Sequence, residues 1–145
     1  MPWTSNRGHY ILVLELQEEA EINVGRLGPF PFRPGIYCYV GRDKRHLKQR
    51  LARHCREEKP NRWHIDYLLP HTRMLAVMLF PLEGLTECSL ASMLVKEGGI
   101  PFPPRFGASD CHCPGHSILL PKERWTAVVG NLSSHVSSPD NYQGI

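Results

Sequence analysis

The run YILVLEL, residues 10–16, is apolar at almost every position and alternates with polar residues only at its end. Its aromatic and β-branched content predicts a largely buried strand. A second strand is predicted over GIYCYVG, residues 35–41. On a strand alternate side chains share a face, so Tyr37, Tyr39 and Gly41 point one way while Ile36, Cys38 and Val40 point the other. Between these strands lies QEEAEINVGRLGPFPFRPG, an acidic stretch giving way to Gly and Pro. It reads as a connector with a short strand and turns.

From His46 to Glu58 the period changes to that of a helix. Leu47, Leu51 and Cys55 recur at four-residue steps as the buried stripe. His46, Arg50 and His54 recur in the same way on another side, with Arg53 one turn from Arg50. Pro60 closes the helix. WHIDYLL (63–69) predicts a short helix or an ordered turn, and MLAVMLF (74–80), bounded by Arg73 and Pro81, a central strand. A second helix is expected to begin at Thr86 or Glu87 and to stop at Gly98-Gly99. The Pro-rich segment 100–116 reads as irregular, followed by strands over Ser117–Leu120 and over WTAVV (125–129). No repeat is visible. The expected architecture is a single α/β domain of the α+β type over residues 1–130, with a small, mainly antiparallel central sheet flanked by helices. Residues 131–145, polar and poor in aliphatics, read as a loosely attached tail.

Composition narrows the class. The chain has 145 residues, 41% hydrophobic and 21% charged, which suits one compact core. A formal net charge of +3 permits a polyanionic partner without demanding one. MPWTSNRGHY lacks the apolar centre of a signal peptide, and no apolar run approaches the roughly 20 residues that span a bilayer. A cytoplasmic protein with no membrane partner is the expectation. Five cysteines in such a chain argue against a disulfide framework.

Cys111, Cys113 and His116 fall within six residues, and Cys88 follows Glu87. These four ligands can converge as a Cys₃His zinc site, the alternatives being free buried thiols or a redox-labile pair. A metal there would also position Glu87. Within WHIDYLL, Trp63, Ile65 and Leu68 read as core anchors. His64 and Asp66 read either as a buried hydrogen-bonded pair that locks the first helix to the sheet or as part of a site. Asp110 can join a cation's ligands or cap a turn.

Two strands, a helix with an arginine on its polar face, a third strand, and a helix opening on a glutamate form an order that resembles the GIY-YIG nuclease family. Gly8-His9-Tyr10 reads as the first tyrosine motif, with His in place of Ile, and Tyr39-Val40-Gly41 as the second. Leu47, Arg50, Leu51 and His54 match the family's Leu-x-x-Arg-Leu-x-x-His helix. The literal Gly35-Ile36-Tyr37 is then a coincidence, although Tyr37 shares a face with Tyr39 and can border the site. YVG, RLARH, RWHIDYLL, EC at 87–88 and FGASDCHCPGH follow in the order of the Uri-type branch, long catalogued as a domain of unknown function. Two features depart from the pattern: a much longer connector between the tyrosine motifs, and Gly41-Arg42-Asp43 where the Uri branch commonly has Gly-Ser-Ala.

The resemblance implies a DNA endonuclease that uses Mg²⁺ or Mn²⁺, structure-specific or repair-related, with a DNA-repair protein as a partner. Tyr10, Tyr39, Arg50 and His54 would be its catalytic residues, with Glu87 the cation ligand and Arg42 and Arg53 flanking phosphate contacts. Tyr37, His64, Asp66 and Asp110 would stand behind them. Arginine presents a planar fork to two phosphate oxygens, carboxylates hold hard cations that keep waters, and a phenol beside such charge can serve as general base. The other classes open to this chain are a nucleic-acid-binding module of the same fold that does not cleave, and a zinc-stabilised interaction domain.

Overall fold

The structure, a computed structural model, describes residues 3–108, 111–132 and 135–143. Its strands are β1 (Gly8–Leu16), β2 (Ala20–Asn23), β3 (Pro29–Phe32), β4 (Gly35–Asp43), β5 (Arg73–Phe80), β6 (Ile100–Pro101), β7 (Ser117–Leu120) and β8 (Val136–Ser137). The helices are α1 (Leu47–Cys55), α2 (His64–Leu68), α3 (Glu87–Lys96) and α4 (Trp125–Leu132).

All nine residues of β1 are buried, so both faces of the sheet must be covered. β1 lies between β4 and β5 in a six-stranded sheet of order β6-β7-β4-β1-β5-β8 whose neighbours are all antiparallel. The connector forms a separate hairpin of β2 and β3. On one face Tyr10, Leu12, Leu14, Tyr37 and Tyr39 pack with Leu47 and Leu51 of α1 and Ile65 and Leu68 of α2. On the other Ile11, Val13, Ile36, Cys38 and Val40 pack with Leu90 and Leu94 of α3 and Val128 of α4. This is an α+β architecture, and its strand faces divide as the alternation of residues 35–41 predicts. Among the described residues no helix is long and apolar enough to cross a membrane.

Helix α1 ends at Cys55, short of Glu58, because Arg56 turns to extended backbone. Its docking is set by a charge pair. The Asp66 carboxylate, fully buried, accepts from Arg53 Nη1 at 2.9 Å and Nη2 at 3.0 Å. It also accepts from the backbone amides of Arg62 (2.8 Å) and Trp63 (3.0 Å). Burial alone would raise the Asp66 pKa, but the Arg53 and backbone donors together hold it below the ordinary carboxylate value. The tie between α1 and its neighbour therefore runs through Arg53 and Asp66, where a His64–Asp66 bond was one expectation.

Two elements correct the sequence reading. WTAVV opens helix α4 instead of a strand, because Trp125, Val128, Val129 and Leu132 fall on one helical stripe that packs on the second core. The chain after 131 is not loosely attached over its described residues 135–143. β8 pairs with β5 through Val77 and Met78, and Tyr142 is buried with its hydroxyl 2.8 Å from Ser137 Oγ.

Removing one partner of a buried, hydrogen-bonded charge pair typically costs about 3–5 kcal/mol. Asp66→Ala should therefore destabilise the fold by about that amount, read by denaturant unfolding. The Asp66 pKa is depressed in the folded chain, so its contribution is present at neutral pH. Wild-type stability should fall as pH drops below the ordinary carboxylate range of about 4, and Asp66→Ala should flatten part of that fall.

Candidate active site and metal centre

A cleft of about 720 Å³ opens where the end of β4 meets α1, the start of α3 and the loop after residue 105. Tyr39, Arg42, Arg50 and Glu87 line it, together with Asp43, Lys44, Trp63, Gly107, Cys111 and His116.

Tyr10 stands behind this wall. It pairs in register with Gly41, and a Cβ added at Gly41 would run into the Tyr10 ring. Only glycine there lets the phenol lie flat across β4. The Tyr10 hydroxyl is 2.8 Å from His54 Nε2, both groups being buried. Tyr10 and Tyr39 are 6.4 Å apart between ring centroids, and Tyr39 and His54 6.3 Å. Burial drives the His54 pKa down to about 3, with Arg50 and Arg53 adding to the shift against the attraction of Asp66, so the imidazole is neutral at pH 7. Its position on α1 matches the sequence reading, but its ring turns inward to the core.

Both phenols are held above their ordinary range. Burial is the main cause for each; Tyr39 raises Tyr10 further, Glu87 raises Tyr39, and Arg50 opposes both shifts. A phenolate at Tyr39 therefore needs positive charge in the cleft beyond what Arg50 supplies.

Arg42 and Asp43 of the Gly41-Arg42-Asp43 departure each grip a cleft side chain. Asp43 accepts from the amides of Arg45 (2.9 Å) and His46 (2.7 Å), turning the chain into α1, and its Oδ2 lies 3.1 Å from Arg50 Nε. Arg50 also donates to the Arg42 carbonyl at 2.9 Å, and its guanidinium stacks 4.6 Å from the centre of the Trp63 ring. Arg42 Nε lies 3.3 Å from Glu87 Oε1. Glu87 is the first residue of α3, whose N-cap Thr86 exchanges hydrogen bonds with Ser89, so the carboxylate is not needed for capping.

Next to Glu87 the sulfur ligands converge. The ligand atoms of Cys88, Cys111, Cys113 and His116 all lie within 4.8 Å of one another, a group that can hold a metal such as zinc. Cys111 Sγ is 3.3 Å from Cys113 Sγ and 3.3 Å from His116 Nε2, and Cys88 Sγ is 3.8 Å from that nitrogen. Tetrahedral zinc would set these edges at about 3.8 Å for sulfur to sulfur and about 3.6 Å for sulfur to nitrogen. Burial, then the neighbouring thiols, push Cys88 up to about 12. At Cys111 burial also acts upward, but donors from Cys113 and Cys88 outweigh it and lower the thiol. A divalent cation relieves this crowding by taking the thiols as thiolates.

Several expected residues lie elsewhere. Arg53 is committed to Asp66, to the Pro60 carbonyl at 2.9 Å and to the Trp63 ring, which leaves it unsuited to phosphate. Tyr37 is fully buried, donates to the Arg33 carbonyl at 2.6 Å and does not border the cleft; burial lifts it to about 12. His64 Nδ1 accepts from the Gly107 amide at 2.8 Å, which makes it a support for the cleft wall. Asp110 lies outside the described residues. Trp63 was read as a core anchor and Asp43 only as part of a departure from the family pattern. The arginines at 50, 53 and 62 around one tryptophan, and an aspartate shortly before a helix, are the signals that would have found them.

Gly41→Ala should force the Tyr10 ring aside. The expected cost is about 1–3 kcal/mol in denaturant unfolding, together with a changed His54 ring resonance as the 2.8 Å contact to Tyr10 opens.

No curated protein and no solved structure matches this chain. A family model does match, over residues 9–137, and its span takes in both tyrosine strands, the helix that carries Arg50, Glu87 and the whole sulfur cluster. The chain therefore belongs to the family described as Domain of unknown function DUF123.

Proposed function

We propose that this protein is a divalent-cation-dependent endonuclease that hydrolyses phosphodiester bonds in DNA, on the pattern of the GIY-YIG nucleases and their Uri-type branch. The observation that carries the reading is that one cleft brings together Tyr39, Arg50 and Glu87, three side chains distant in sequence, with Tyr10 and His54 directly behind.

Phosphodiester hydrolysis asks for an aligned water and for positive charge on the phosphoryl and leaving oxygens. Arg50 offers the guanidinium. Its pairing with Asp43 is partly exposed, the two side chains being 31% and 14% accessible, and such pairs contribute at most about 1 kcal/mol. A phosphate can displace Asp43 from one edge of Arg50 while Trp63 keeps the plane of the guanidinium fixed. Glu87 is the ligand for Mg²⁺ or Mn²⁺, which would supply the positive charge that Tyr39 lacks. Tyr39 then orients the attacking water, and the neutral His54 holds the Tyr10 phenol in place behind it. Arg42 and Lys44, at the rim, suit flanking phosphates. Zinc in the Cys₃His cluster is structural in this reading. A repair protein as partner would supply the base-reading element that the described residues do not present.

A second reading has its own support. Arg42 on Glu87 and Asp43 on Arg50 occupy both reactive side chains, as suits a module that binds nucleic acid without cutting it.

Incubation with supercoiled plasmid, a flap and a single-stranded oligonucleotide under Mg²⁺, Mn²⁺ or EDTA separates the two. Cleavage should require the cation, and Arg50→Ala and Glu87→Ala should each lower it by about 10²-fold or more. Absence of cleavage, with binding whose salt slope falls by about one in Arg50→Ala, would establish the binding module instead.

Metal content gives an independent check. The purified chain should hold one zinc that survives dialysis. Co²⁺ put in its place should show sulfur-to-metal charge transfer, which Cys111→Ser combined with Cys113→Ser abolishes.

A further inference from the structure

The sulfur cluster and the cleft share one side chain on their common border. His116 turns Nε2 toward Cys111 and Cys88, at 3.3 and 3.8 Å, while its Nδ1 lies 3.7 Å from Glu87 Oε2. That nitrogen is buried and has no hydrogen bond among the described residues. The Gly107 backbone runs beside the same edge of the ring and is the rival acceptor. A metal on Nε2 leaves Nδ1 as the protonated nitrogen, a donor that needs an acceptor. Metal-bound histidines usually give this proton to a carboxylate or a carbonyl. Closing 3.7 Å to a hydrogen bond asks for a shift of about 0.8 Å.

We infer that His116 is a positioning residue that joins the two metal positions: with Nε2 on the cation of the Cys₃His cluster, it donates Nδ1–H to Glu87 and fixes that carboxylate for the cation in the cleft. The inference rests on the reading of Glu87 as the cleft's cation ligand. With Oε2 held by His116, Oε1 faces the cleft, where it now meets Arg42. Filling the cluster also changes its charge. Three thiolates around Zn²⁺ carry a net −1 where neutral thiols carried none, which draws a second cation toward Glu87. The two sites are then linked, and each must tighten the other by the same factor.

The full chain, stripped of metal, tests this with no nucleic acid present. Zn²⁺ affinity is measured by competition with a chromophoric chelator and Mn²⁺ binding by electron paramagnetic resonance. Glu87→Ala should keep one Zn²⁺ per chain but weaken it by about 10- to 100-fold. Glu87→Gln, whose amide oxygen still accepts, should recover part of that loss. In the wild type, Zn²⁺ loading should tighten Mn²⁺. In His116→Cys, which keeps zinc in a Cys₄ site that still attracts a cation by charge but has no Nδ1–H, adding Glu87→Ala should no longer weaken Zn²⁺.

Unchanged Zn²⁺ affinity in Glu87→Ala would give the Nδ1 proton to Gly107 and overturn the inference. So would a loss of Zn²⁺ affinity on adding Glu87→Ala to His116→Cys as large as in the wild type, since the effect of Glu87 would then not pass through His116. A chain that takes no Zn²⁺ also overturns it, whatever the cleavage assay shows. Weakened Zn²⁺ in Glu87→Ala, in a wild type that cleaves nothing and takes no Mn²⁺, would uphold the His116–Glu87 link and remove only the nuclease reading.

Discussion

A central strand with no exposed residue fixes the layering of this protein. β1 hydrogen-bonds on both edges and is buried on both faces, so helices must cover each side, and two cores form where a one-sided sheet would make one. Full burial of a Leu, Ile or Val side chain contributes about 1.5–3 kcal/mol, and β1 supplies such side chains to both cores. The cleft follows from the same constraint. Near the N-terminal end of β1, Tyr10 lies across Gly41 of β4, the start of α1 crosses one face, and α3 begins beside the opposite face. Arginine from one layer and glutamate from the other can meet only around that end of the sheet.

Two arginines one turn apart on α1 have opposite roles because of the carboxylates opposite them. Arg53 meets a carboxylate that is 0% exposed and holds two further amide donors. Taking Arg53 away would strand a buried charge, so it is a structural residue. Arg50 meets Asp43 in a partly exposed pair, where screening leaves less to hold it. Trp63 stacks on both guanidiniums, 4.6 Å from Arg50 and 4.5 Å from Arg53, and so fixes the plane of each while leaving the Arg50 edge able to change partners.

This difference marks the limit of what the sequence could reveal. Alternation placed Tyr37 and Tyr39 on one face, and four-residue spacing found the Leu47–Leu51 stripe, because both are periodic properties of a local segment. The Arg53–Asp66 tie was not legible, since spacing along α1 says nothing about which carboxylate another element brings across. The triplet GIY at 35–37 was set aside on motif order; its phenol donates to the Arg33 carbonyl and does not line the cleft. WTAVV misled because β-branched residues favour strands, while the stripe that makes α4 shows only when Leu132 is included with Trp125. The tail looked unattached because what holds it is a two-residue pairing of β8 with β5, the Leu79 amide on the His135 carbonyl and the buried ring of Tyr142, too few apolar side chains to leave a hydrophobic pattern.

Residues 87 and 88 place a hard and a soft ligand side by side at the start of one helix, about 100° apart around its axis. Glu87 can thus face the cleft while Cys88 faces the sulfur cluster, and ligand chemistry alone would sort a hard and a soft cation between them. The loop opposite has little regular structure of its own. Arg105 ties it to the Cys113 carbonyl at 2.8 Å, and the His116 amide to the Phe106 carbonyl at 2.7 Å. Phe106 stands edge-on to Tyr39, 6.0 Å between ring centroids, and Gly107 lines the cleft. A metal across Cys88, Cys111, Cys113 and His116 would therefore clamp this loop to α3 and hold the wall against which Tyr39 rests. A soft cation in the wall of the cleft would in this way be part of the geometry that a hard cation on Glu87 would use.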